Sequence, residues 1–246
     1  MSAARINNEI VTPSASYPSL KLFMSFQDIS FWIRSARTDS LLKRLRRRHG
    51  NEQAFDRLYR ILRDPWSAAV PHYRYQPFKY RDVLSLLPER TYRRALDIGC
   101  GLGIFSRLLA QQCNQVLGID ISQCAVDSAA RASATVPNVQ FRKVDLLKLD
   151  SVSLGQFDLV VLADTIYYLP DLSQRGLQTA REQILQSLAP GGILMLVNHY
   201  LFQLDSHSRM TRTIHDCFGS ANSMRLEREH RRPFYLVSVL ERKPAR

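Results

Sequence analysis

Three aspartates and a cluster of glycines carry the clearest chemistry in this chain. Asp97 opens the stretch Asp97-Ile98-Gly99-Cys100-Gly101-Leu102-Gly103, Asp120 closes Gly118-Ile119-Asp120, and Asp145 follows Val144. Each acid ends a run of strand character, and Ile104 to Ala110 after the glycines has a helical pattern. Glycine reaches backbone conformations closed to other residues and lets a ligand lie against bare main chain. Amides at the start of the following helix point at such a ligand and favour negative groups. The turn therefore reads as the seat of a nucleotide-like cofactor.

Spacing narrows the choice. A dinucleotide fingerprint needs Gly-x-Gly-x-x-Gly, but the third position falls on Ile104 counted from Gly99 and on Ser106 counted from Gly101. A phosphate loop needs a Lys-Ser or Lys-Thr pair after the glycines, and none follows. Asp97 would repel a pyrophosphate and suits a cationic or zwitterionic ligand such as S-adenosylmethionine. Asp120, about 20 residues on, can accept both ribose hydroxyls, and Asp145 can accept the adenine amino group. For each acid taken alone, capping of the next helix is an alternative, and Ser122 competes with Asp120 for that task. The expected cofactor contacts are Asp97, Gly99, Cys100, Gly101, Gly103, Asp120, Ile121, Asp145, Leu146 and Ala163.

Transfer of a methyl group from a sulfonium is an in-line displacement, so the protein mainly has to hold a nucleophile at the correct distance and angle. Side chains for that task should come from the loops after the fourth and fifth strands. After the fourth stand Asp164, Thr165, Tyr167 and Tyr168. Asp164 either anchors an amine or hydroxyl, takes its proton, or caps a helix with Thr165. The tyrosines either stack on sugar or adenine or pack beneath the helix. After the fifth strand His199 is a candidate general base, with a structural role as the alternative. The candidate catalytic set is Asp164, His199 and Tyr167; His207 and His215 read as surface or helix positions.

The elements that must place these groups are legible in outline. Ala54-Phe55-x-x-Leu58-Tyr59-x-x-Leu62 predicts a helix ending before Pro65, and Tyr80 to Leu87 a second, stopped by Pro88. Strands and helices then alternate to Leu188, the pattern of a parallel sheet with right-handed crossovers. Ala189-Pro190-Gly191-Gly192 predicts a turn before a fifth strand at Ile193 to Val197. Met224 to His230 and Phe234 to Glu241 read as two closing strands. Residues 1–18 are polar and expected to be disordered. Residues 20–48 join an apolar-aromatic patch to a basic run, and fit a lid helix, an oligomer contact or a partner surface.

At 246 residues the chain suffices for one sizeable core. It has no apolar run of the roughly 20 residues that cross a bilayer and no recognisable signal peptide. Cys100, Cys113, Cys124 and Cys217 lack metal-ligand spacing, so a cytoplasmic enzyme with reduced cysteines and no metal is expected. The net charge of +12 is concentrated between Arg34 and Arg63. That run reads first as the solvated face of an amphipathic helix and second as a nucleic-acid contact.

Asp97-Ile-Gly-Cys-Gly-Leu-Gly103, Gly118-Ile-Asp-Ile-Ser122, Val144-Asp145-Leu146, Phe157-Asp-Leu-Val-Val-Leu162 and Leu188-Ala-Pro-Gly-Gly192 resemble the ordered motifs of class I S-adenosylmethionine-dependent methyltransferases. Asp64-Pro65-Trp66, Tyr75 with Lys79-Tyr80, Tyr92-Arg93-Arg94-Ala95-Leu96 and Tyr167-Tyr168-Leu169 resemble the nodulation protein S branch. The match spans roughly residues 52 to 241. It implies an α/β Rossmann-like fold: a mainly parallel seven-stranded sheet, helices on both faces and a C-terminal antiparallel pair. It also implies a methyltransferase domain over 52–246 behind a basic, partly disordered extension over 1–51. Trp66 and Tyr80 would cover the cofactor, and Lys79 would meet its methionine carboxylate. The implied acceptor is an amino sugar or related glycan methylated on nitrogen. RNA methylation through the basic segment, which is not favoured, and O-methylation of a small metabolite are alternatives; the chain would act as a monomer or homodimer.

Overall fold

Apolar residues on both faces of the central strands commit one sheet to helical cover on each side. The computed structural model describes residues 26–244, apart from 71, 72, 74, 202–204 and 233. The disorder expected for residues 1–18 falls outside them. Three helices come first, α1 (Phe26–His49), α2 (Asn51–Leu62) and α3 (Tyr75–Leu84). The alternating part follows as β1 (Tyr92–Ile98), α4 (Ile104–Leu109), β2 (Cys113–Asp120), α5 (Gln123–Ala132), β3 (Val139–Lys143), α6 (Ser151–Leu154), β4 (Phe157–Ala163), α7 (Gln174–Ser187), β5 (Leu188–His199) and α8 (Ser206–Gly219). The antiparallel pair β6 (Met224–Arg232) and β7 (Tyr235–Arg242) closes the fold.

The strand order is β3-β2-β1-β4-β5-β7-β6. Strands β1 to β5 run parallel, while β7 is antiparallel to both β5 and β6. This is the expected sheet. β1 lies between β2 and β4, so the chain reverses direction across the sheet there, and ligands of open α/β sheets bind at that point beyond the strands' C-terminal ends. One helical layer buries Ala95, Val116, Val161 and Val197; the other buries Leu96, Ile119, Leu162 and Leu196. A third cluster joins α1, α2 and α5 through Leu42, Phe55, Leu58 and Ala125.

Two elements differ from expectation. The second helix starts at Tyr75 and ends at Leu84, because residues 85–87 leave the helix in turns before Pro88. The turn expected at Ala189–Gly192 is absorbed into β5. Leu188 pairs with Phe157 and Ile193 with Leu159, so four residues bulge opposite Asp158, with Gly191 at φ 71°. Among the described residues no helix is long and apolar enough to cross a membrane.

Helix α8 is locked to the sheet by a polar pair of contacts. His215 is buried, with Nδ1 2.7 Å from Ser238 Oγ and Nε2 3.2 Å from Asn198 Oδ1. It is a helix position, one of the two readings the sequence offered, and its side chain is in the core. Burial first, then Arg212, pushes its pKa down to about 3, against an upward pull from Glu229. A histidine depressed in the folded state contributes stability above its unfolded pKa of about 6.5 and loses it as pH falls toward the folded value. Relative to a His215→Gln variant, the parent should therefore lose about 2 kcal/mol of stability between pH 7 and pH 5, measured by urea unfolding. Parallel stability curves would contradict this.

Candidate active site

The turn between β1 and α4 is built from left-handed glycines, with φ of 74° at Gly99, 52° at Gly101 and 68° at Gly103. Gly99 N and Cys100 N both donate to Ile119 O, at 2.8 and 3.0 Å, which ties the turn to the end of β2. A Cβ at Gly99 would lie 2.2 Å from Thr165 Oγ1, so the loop after β4 closes directly on the turn. That threonine donates to Ile98 O at 3.0 Å and completes the join.

The three acids take different places. Asp120 accepts from Gly101 N at 3.0 Å and from Ser122 N at 2.9 Å. Ser122 caps α5 by accepting from Ala125 N at 3.2 Å, so the cap reading belongs to the serine. Burial pushes Asp120 up to about 6, against the backbone hydrogen bonds it receives. Asp145 does cap a short turn, accepting from Leu147 N at 3.0 Å, and also faces the cavity described below. Asp97 is buried under the turn and accepts from Ser106 Oγ at 2.6 Å. Burial pushes it up to about 6, with Asp120 adding to the rise.

A cavity of about 360 Å³ opens beside the turn, within the range of small-molecule sites. Its wall includes Gly99, Cys100, Gly101, Asp120, Ile121, Asp145, Leu146, Ala163, Trp66 and Tyr80, together with Asp164, His199 and Tyr167. Asp97 and Gly103 are absent from the described lining. Asp97 braces α4 through Ser106, and Gly103 makes room for Phe141, which a Cβ there would meet at 2.6 Å.

Helices α1 and α2 supply part of the wall. Phe31, Ser35, Ala36 and Asp39 come from α1, and Asn51, Phe55 and Tyr59 from α2. Asp39 accepts from Tyr168 Oη at 2.9 Å and Trp66 Nε1 at 3.4 Å; Thr38 donates to Pro65 O at 2.6 Å, and Arg46 to Tyr168 O at 3.0 Å. Arg34, Arg37, Lys43, Arg44, Arg47 and Arg48 are exposed, so most of the α1 run is a solvated face. Tyr168 packs with Trp66 and Phe55 at 5.5 and 5.7 Å between ring centres, favouring its packing role over a free stacking surface.

Opposite the nucleoside end, Lys79 forms an ion pair with Asp164 Oδ2. Lys79 is only 2% exposed, and its ammonium lies 5.9 and 5.5 Å from the rings of Tyr75 and Tyr235. Its charge is paired with Asp164. Asp164 sits at φ 55° and donates its N–H to Val197 O at 2.7 Å. His199 Nε2 lies 3.7 Å from Asp205 Oδ2, a residue the sequence did not single out. Burial lowers the His199 pKa most; Lys79 and His207 lower it further, while Asp205 and Asp164 raise it. The imidazole is thus neutral at pH 7. His207 is an exposed residue of α8, as expected, and also borders the cavity. Burial drives the Tyr167 phenol well up, so it stays protonated.

The lining fits an adenosyl-amino-acid cofactor. Helix α2 is fastened to the end of β3 by Glu52 to Lys143 at 2.5 Å, and to the first turn of α5 by Asp56, which accepts from Cys124 N at 2.9 Å. Asn51 Oδ1, at the start of that helix, lines the cavity buried and without a hydrogen-bond partner. Buried polar atoms left unpaired cost free energy that a ligand can recover.

Residues 95–192 match the family described as "Methyltransferase domain". Nodulation protein S of Rhizobium tropici is 30% identical over 162 residues, covering 66% of this chain and 63% of that protein. Trans-aconitate 2-methyltransferase of Deinococcus radiodurans is 31% identical over 138 residues, covering 55% of this chain and 49% of that one. The chain thus spans about half to under two thirds of the length of these two curated relatives. The crystal structure of N-methyltransferase NodS from Bradyrhizobium japonicum WM9 with S-adenosyl-L-homocysteine superposes with TM-score 0.64 at 20% identity, over 78% of this chain and 98% of that one, a likeness of fold. The domain match makes residues 95–192 a methyltransferase domain, and the fold is the Rossmann-like one shared with the S-adenosyl-L-homocysteine-bound NodS structure. In sequence the chain is similar to nodulation protein S.

Breaking a buried ion pair by removing one partner strands the other charge. Lys79→Met and Asp164→Asn should each destabilise the unliganded protein by about 3 kcal/mol. The double variant should lose less than the sum, read as a coupling energy from denaturant unfolding of all four proteins. Additive losses would show that the pair does not act as one unit.

Proposed function

We propose that the chain transfers a methyl group from S-adenosylmethionine to an amine on a sugar-like small molecule. The observation that carries this is the charge of the cavity. Its described lining holds five carboxylates, Asp39, Asp64, Asp120, Asp145 and Asp164, against one lysine or arginine, Lys79, which is already paired. In a chain of net charge +12 the cavity is acidic, so it draws in cations. A carboxylate acceptor, such as the trans-aconitate in the name of the Deinococcus relative, finds no uncommitted lysine or arginine among the described lining residues. Similarity to nodulation protein S, and the name N-methyltransferase borne by NodS, point the same way.

The bound cofactor supplies an electrophilic methyl with its own leaving group. The chain's task is to position and deprotonate the nucleophile. Asp164, fixed by Lys79, receives an N–H of the acceptor, and Tyr167 offers an aromatic wall to an apolar sugar face. Neutral His199 takes the proton that an ammonium must lose before its lone pair can attack. Asp120 and Asp145 hold the ribose and adenine ends, with Gly99, Cys100 and Gly101 against the amino-acid portion. A hydroxyl acceptor is the second reading, because a neutral histidine near a carboxylate also suits removal of a hydroxyl proton.

Labelled S-adenosylmethionine should pass its methyl to glucosamine or de-N-acetylated chito-oligosaccharides in preference to trans-aconitate, catechol or total RNA. Label found only in RNA or in the carboxylate would refute the proposal. The acidic limb of kcat/KM should lie below pH 6.5, since the His199 pKa is lowered. Asp205→Asn should move that limb to still lower pH by removing an upward pull, and His199→Ala should cut kcat about 100-fold. An unmoved limb in Asp205→Asn would contradict the pairing.

A further inference from the structure

Gln76 is 8% exposed, lines the cavity, and has an amide oxygen with no partner. Positions 76, 79 and 80 share one face of α3 at i, i+3 and i+4. Lys79 ties that face to Asp164 after β4, and the Tyr80 ring stands 5.0 Å from Phe105 in the first turn of α4. Farther along, Asp82 accepts from Arg232 Nη2 at 2.6 Å and Tyr235 Oη at 2.6 Å, so the helix is pinned to the closing strands. Gln76 is thereby held one turn from the Lys79–Asp164 pair, on the helical face that looks into the cavity.

We infer that Gln76 accepts a hydrogen bond from an N–H of the methyl acceptor and so selects amines over deprotonated oxygen nucleophiles. This rests on the methyl-transfer reading above. An amine that attacks through its lone pair keeps its remaining N–H bonds throughout. With one N–H on the Asp164 carboxylate and another on the Gln76 amide oxygen, the lone pair is turned away from both and toward the methyl carbon. An alkoxide or carboxylate has no hydrogen to offer and sets its negative oxygen against the amide oxygen, which stays unpaired. The same unpaired atom makes a prediction for the protein without ligand: replacing the amide by an apolar group of similar length removes a buried unsatisfied acceptor and should not weaken the fold.

The test compares the full chain with Gln76→Met and Gln76→Glu, the latter keeping an oxygen acceptor. Gln76→Met should melt at or above the parent temperature and bind S-adenosylhomocysteine within twofold by calorimetry. Its kcat/KM for glucosamine should fall about tenfold, the effect of one lost hydrogen bond, and Gln76→Glu should recover part of that loss. A melting temperature several degrees lower in Gln76→Met would show that the amide has a structural partner and overturn the inference. A tenfold weaker S-adenosylhomocysteine complex would assign Gln76 to the cofactor and overturn it as well. Amine turnover insensitive to Gln76→Met overturns this role alone. Parent label on catechol and on no amine overturns both this role and the amine reading.

Discussion

The structure depends on one close approach, that of the loop after β4 to the glycine turn after β1. At Gly99 no side chain of any size fits, because Thr165 already fills the place of a Cβ. The same turn is drawn sideways by Ile119 O, which takes two of its amides. The ends of β1, β2 and β4 are thus brought to one point, and the side chains that follow each strand inherit their positions from it. Asp120 is set by the Gly101 amide, and Asp164 follows directly from β4 with Thr165 beside it. The cavity opens there because three strand ends meet there.

Charge is the second constraint. The exposed face of α1 is strongly basic, while its inner face contributes Asp39 to an acidic cavity. Burying carboxylates at and behind the turn has a cost in the unliganded protein, visible in the raised pKa values of Asp97 and Asp120, which burial creates. An acid raised in the folded state favours folding below its unfolded pKa and ceases to do so as pH rises through the folded value near 6. These two acids therefore act against His215 over part of the same pH range. Lys79 offsets part of the negative charge at the acceptor end, and its burial between Tyr75 and Tyr235 denies that charge to any ligand.

Much of this was legible in the sequence. Glycine spacing, acids at successive strand ends and the alternation of strand and helix define the sheet and the cofactor side of the cavity. Asp97 lies near the C-terminal end of β1, where it accepts from Ser106, and the neighbouring Ile98 lines the cavity. The part played by α1 left no apolar stripe to read, since Ser35, Ala36 and Asp39 face a cavity and not a core. The partner of Lys79 lies 85 residues away, beyond the reach of any local pattern. The residues Ala189 to Gly192 look like a turn and form a bulge, because pairing with β4 resumes one residue past Asp158. Gln76 and Asp205 are ordinary polar residues by sequence, and only burial and distance single them out.

The central claim is that α1 and α2 form one binding cavity with the glycine turn of the methyltransferase domain. Hydrogen exchange of the full chain, with and without saturating S-adenosylhomocysteine, tests it directly. Exchange should slow at Gly99 to Gly103 and at Ile121, and also across residues 31–39 and 51–59, while β6 and β7 remain unchanged. Protection confined to residues 95–192, with α1 and α2 unaffected, would contradict the account.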